Sequence, residues 1–122
     1  MVVALISSVA VFFLGMGLYA LIAPDWMIRP FGVTLPRPES RAEVRAVYGG
    51  FGLAIAGMLT YAALNPSVGH PILITVAVAL VGMAVGRLIS AVVDERTAFY
   101  PNWFYFLVEV VLAAALVLAA VI

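Results

Sequence analysis

Arg87 and Glu109 lie inside stretches that otherwise carry only apolar and small side chains. An ionised group at the middle of a membrane helix costs about 2.5–3.5 kcal/mol on insertion scales, so such residues are rare and are kept for a reason. Their chemistry is limited in kind. An arginine and a carboxylate can neutralise each other; the arginine can hold an anion; the carboxylate can carry a proton. Arg45, Tyr48 and Ser90 fall near enough in the pattern to join them, which makes Arg45, Tyr48, Arg87, Ser90 and Glu109 the candidate site.

The chain that must position these groups has 122 residues, of which 66% are hydrophobic and 10% charged. Its mean hydropathy is +1.22. A soluble core of this size has no room for so much apolar surface, and the remainder must face lipid. There is no cysteine, which excludes disulfides, thiolate metal sites and cysteine nucleophiles together. Lysine is absent as well, and the formal net charge is zero. Nothing in that balance points to nucleic acid.

Four apolar runs are long enough to cross hydrocarbon, which takes about 20 helical residues. They predict helices over about 2–23, 42–64, 72–93 and 103–122, in one domain covering 1–122. The first run has no basic leader and exceeds the roughly 7–15 apolar residues of a signal peptide, so it reads as a retained helix. Pro71 suits the first turn of the third helix, with Asn65 to His70 as a tight turn before it. The first loop, with Pro24, Pro30, Pro36 and Pro38, is too proline-rich for continuous helix. At its end Ser40-Arg41-Ala42-Glu43 fits a capping box that opens the second helix. The expected fold is an all-α, antiparallel four-helix transmembrane bundle.

Arginines are unevenly placed. Arg29, Arg37, Arg41, Arg45 and Arg96 gather in or beside the first and third loops, while the opposite side has His70 and the termini. The positive-inside rule then puts both termini outside the cytoplasm, in an inner membrane. Trp26, Phe31, Phe99, Tyr100, Trp103, Phe104 and Tyr105 share the arginine side, as an interfacial aromatic belt would.

Arg87 stands about two turns before the end of the third helix and Glu109 about two turns into the fourth, so both lie at similar depth below one surface. Helices joined by a short loop usually pack together, and the two side chains can meet. One reading is a structural clasp between the third and fourth helices. The other is a ligand or proton site in which Glu109 titrates and Arg45 or Arg87 holds an anion. Arg45 is equally suited to snorkel to phosphates. Small residues supply expected packing: Ala42, Ala46, Gly50 and Ala54 recur every four residues, Gly49 adjoins them, and Gly82 and Gly86 form a G-x-x-x-G. A dimer face is the alternative use of those glycines. His70 alone is a poor metal ligand, and no metal, nucleotide or nucleophile motif is present.

The segment Glu43-Val44-Arg45-Ala46-Val47-Tyr48-Gly49-Gly50, then Gly86-Arg87-Leu88-Ile89-Ser90 and a late Glu109, resembles the domain of unknown function 4345 family of small bacterial membrane proteins. Gly17-Leu18-Tyr19 and Pro24 at the end of the first helix extend the resemblance over nearly the whole chain. It implies a four-helix fold and a membrane location without an activity, and it directs attention to Arg45, Tyr48, Gly50, Arg87 and Glu109. The expected function is non-enzymatic, with no cofactor: binding of membrane lipids, a partner membrane protein or further copies of the chain. A small oligomeric proton-coupled transporter using Glu109 is the alternative. A transporter needs Glu109 open to a cavity; a binding or structural protein needs it paired and dry.

Overall fold

A computed structural model describes all residues, 1–122. It is all-helical, and four of its helical units are long and apolar enough to cross a membrane: Val2–Ile22, Pro38–Leu64, Pro66–Val93 and Phe99–Val121.

Helix α1 (Val2–Ile22) stops at Ala23, which takes φ −135° and ψ 65°, because Pro24 restricts the residue before it. A short helix α2 (Pro24–Ile28) and one 3-10 turn, Arg29–Phe31, follow. Gly32 closes that turn with φ 74°, a left-handed conformation that glycine adopts without strain.

The second span starts earlier than its sequence suggests. Helix α3 (Pro38–Val44) has Arg37 as N-cap, in extended conformation, and makes no side-chain cap hydrogen bond. The Ser40–Glu43 capping box therefore does not form. Pro38 carries a preset φ and no amide to satisfy, so it opens the helix and places Ser40 inside the first turn. Arg45–Gly50 then winds as a π-helix before α4 (Phe51–Leu64) resumes regular winding.

The third span is also longer. Helix α5 (Pro66–Val93) begins at Pro66, and Pro71 lies inside it. The expected turn over 65–70 shrinks to Asn65 alone, whose side-chain nitrogen donates to the Tyr61 carbonyl at 2.9 Å. Pro66, like Pro38, serves as a first-turn proline. The last span opens with a wide turn, Phe99–Trp103, in which Tyr100 is non-helical, and continues as α6 (Phe104–Val121).

Packing begins with small residues on α1 and the second span. A Cβ on Gly17 would stand 2.9 Å from the Gly49 carbonyl oxygen, and one on Gly52 3.1 Å from that of Phe13. Higher numbers on α1 meet lower numbers on the second span, down to Leu21 against Arg45. The buried positions of that span are Val44, Gly49, Gly52, Ala56, Leu59 and Ala62. The step of five from Val44 to Gly49 is the extra residue of the π turn, and it rotates the packed face. Ala42, Ala46, Gly50 and Ala54 are exposed, and that predicted stripe is not the packing face. Gly82 and Gly86 are exposed too, with nothing within 4 Å of an added Cβ. Of the predicted packing residues, Gly49 alone is buried against a neighbour.

One core unites the four spans. Ile6 and Val9 from α1, Leu59 from α4, Leu73, Val76 and Leu80 from α5, and Ala113 and Leu116 from α6 form a single cluster. Outward faces carry Val11, Val78, Val81 and Val111 in the open. Apolar surface of that extent is unsuited to water and suits hydrocarbon. These are the features of a small membrane protein.

Candidate functional site

Along α5 the buried residues Leu73, Val76, Ala77, Leu80 and Ala84 step by helical spacing toward the core. Arg87 falls three residues beyond Ala84 and continues that inward face. On α6 the inward series is Glu109, Ala113, Leu116 and Ala119. Helix periodicity alone thus aims the cation and the carboxylate into the same interhelical seam.

They meet there. Arg87 Nε donates to Glu109 Oε1 at 2.8 Å and to Oε2 at 3.1 Å. A second guanidinium nitrogen, Nη1, donates to the Asn102 side-chain oxygen at 3.3 Å. The Glu109 side chain is 5% exposed and that of Arg87 21%. Charge-assisted bonds of this length are the strong kind, and a low-dielectric seam strengthens them further. The Phe31 and Tyr105 rings each lie with their centroids 5.8 Å from the guanidinium carbon, at the outer edge of cation–π range. No buried side-chain nitrogen or oxygen of the chain lacks a partner.

The five predicted site residues do not form one cluster. Arg45 Nε donates to the Leu21 carbonyl at 3.0 Å. That oxygen belongs to the last turn of α1, where carbonyls lack helical partners and a cation complements the helix dipole. Arg45 is therefore a helix-end group and makes no hydrogen bond to Glu109. Tyr48 is exposed and its hydroxyl bonds to nothing in the chain. Ser90 donates to Asp94 Oδ2 at 3.0 Å, one turn away at the end of α5. Only Arg87 and Glu109 come together.

Three neighbours of the pair are not among the candidate site residues: Phe31 and Tyr105 are expected only in the aromatic belt, and the sequence does not single out Asn102. Asn102 sits in the wide turn before α6, Phe31 in the 3-10 turn of the first loop, and Tyr105 in the first turn of α6. The signal for Asn102 was a lone amide in an aromatic run, Tyr100-Pro101-Asn102-Trp103, at the mouth of the seam. Phe31 and Tyr105 also touch each other, with ring centroids 5.5 Å apart, and so tie the first loop to the last span.

Directly beyond Asn102 is a cavity of about 610 Å³. Its wall comes from the end of α5, the 94–98 loop, the wide turn and the first-loop 3-10 turn. Asn102 belongs both to this wall and to the Arg87 network. No three of the His, Asp and Glu side chains are grouped as a metal site.

No curated protein and no solved structure matches the chain. A family profile does, over residues 2–120, nearly the full length of the chain. The chain belongs to the family described as a domain of unknown function, DUF4345.

Proposed function

We propose that this is a non-enzymatic integral membrane protein in which the Arg87–Glu109 pair clasps the third and fourth spans, leaving the charged end free to bind membrane lipid or a partner protein. The observation that carries the reading is the pair itself: Glu109 is 4% exposed and spends both carboxylate oxygens on Arg87. A coupling carboxylate for transport needs a path for its proton, and Glu109 is enclosed. Aside from the pair, every charged side chain lies at positions 25–45 or 94–96. That end also holds the aromatic belt, so a lipid headgroup or a partner meets its recognition chemistry there. Arginine placement orients this end toward the cytoplasm, with both termini on the far side and a bacterial inner membrane as the natural host.

Native mass spectrometry of the gently extracted protein tests the binding. Retained lipid or a stoichiometric partner chain is the expected result, and a bare single chain contradicts it. A C-terminal reporter that is active only in the cytoplasm reads the orientation; it should stay silent.

A further inference from the structure

We infer that the cavity beyond Asn102 is a binding site for a zwitterionic phosphate–ammonium group, with the headgroup of a membrane phospholipid as its source. The inference rests on the lipid-binding arm of the proposed function and names the ligand chemistry.

The cavity wall carries three charges side by side, Asp94, Glu95 and Arg96. None of the three makes an ion pair within the chain. Arg96 is thus an uncommitted guanidinium, suited to two oxygens of a phosphodiester. Asp94 accepts from Ser90 through one oxygen and has its other to offer. Asn102 spends its carbonyl oxygen on Arg87, and its amide nitrogen donates to no group of the chain. Arg87 therefore fixes which end of that amide is free, and the free end is a donor.

Formal charge decides the ligand class. Two carboxylates outweigh one guanidinium, so a simple anion meets net repulsion at this wall. A simple cation leaves Arg96 without a counter-charge. A group carrying both signs satisfies both: phosphate toward Arg96 and the Asn102 amide, ammonium toward Asp94 and Glu95. Tyr100 and Trp103 line the same cavity, and their faces attract an ammonium in addition.

Size and place favour the lipid over a free solute. The volume is within the range of about 300–1,000 Å³ typical of small-molecule sites. The cavity lies where the third span ends and the fourth begins, among the aromatic residues that mark headgroup depth.

The test is native mass spectrometry of the full chain in detergent, titrated with phosphatidylethanolamine or with phosphatidylglycerol of the same acyl chains. The expected result is preferential retention of phosphatidylethanolamine. Arg96→Gln should weaken it about tenfold, the loss typical of one charge-assisted contact. Arg37→Gln, an equal charge change outside the cavity, should leave it unaltered. Asp94→Asn combined with Glu95→Gln reverses the wall charge and should move preference to phosphatidylglycerol. All four positions are exposed, so these variants keep the packed core. Competition by free O-phosphoethanolamine at the lipid's own concentration would keep the site and assign its source to the soluble molecule. Lipid retained without headgroup preference, or unaffected by Arg96→Gln, overturns the inference while leaving lipid binding intact. Absence of any retained lipid or competitor binding overturns both.

Discussion

At the scale of the residue, Arg87 is committed on three sides: to both oxygens of Glu109, to Asn102, and to the rings of Phe31 and Tyr105. The arrangement makes unequal demands on its members. Glu109 neutralises the charge, and Asn102 only satisfies a donor. Asn102→Ala should therefore cost about 1 kcal/mol in detergent unfolding, the scale of one hydrogen bond of this kind, with the Arg87–Glu109 contact retained. A loss above about 3 kcal/mol, which is the scale of an orphaned buried charge, would show that Asn102 supports the pair itself. The pair was legible in the sequence because depth and chain adjacency act on residues at known distances from helix ends. Arg45 and Ser90 make no hydrogen bond to the pair, although Ser90 lines the cavity beside Asn102. Each spends its donor on another partner: Arg45 on a carbonyl in the last turn of α1, which lacks a helical partner, and Ser90 on Asp94 one turn away.

Elements were readable to the extent that hydropathy defines them. Four spans appear where four apolar runs stand, but their ends and rotations depend on chemistry that hydropathy does not carry. Two prolines, Pro38 and Pro66, move helix starts outward because a first-turn proline needs no amide partner. The π turn at Arg45–Gly50 is the larger correction. One extra residue in the winding brings Gly49 and Gly52 onto the face that Val44 begins, and the stripe Ala42, Ala46, Gly50 and Ala54 lies on the exposed side. The glycines should therefore separate in a stability series. Gly17→Ala would press a methyl against the backbone of Gly49 and Leu53, at 2.9 and 3.1 Å. Backbone gives way less readily than side chain, and a loss of about 1–3 kcal/mol is expected. Gly82→Ala and Gly86→Ala meet open space. Alanine is the better helix former, and these changes should be neutral or stabilising by up to about 1 kcal/mol. Thermal unfolding of the three variants in one detergent checks both signs. Destabilisation at Gly82 or Gly86 would reveal a contact made by something other than this chain.

For the whole molecule, the charged side chains are concentrated at one end and one seam. The core of Ile6, Val9, Leu59, Leu80 and Leu116 gives shape, yet between helices in lipid apolar side chains offer no hydrophobic preference for one another over acyl chains. Close glycine crossings hold the first and second spans; a buried ion pair joins the third and fourth. If the pair is a clasp, its members depend on each other for stability, since one charge left alone in the seam is worse than none. A double-mutant cycle of Arg87→Ala and Glu109→Ala, read as unfolding free energy in detergent, measures that dependence directly. Each single change should destabilise by about 3 kcal/mol or more, and the double change by less than the sum, close to or below either single. Simple additivity, or single variants that unfold and assemble like the parent, would contradict the clasp and return Glu109 to the role of a working carboxylate.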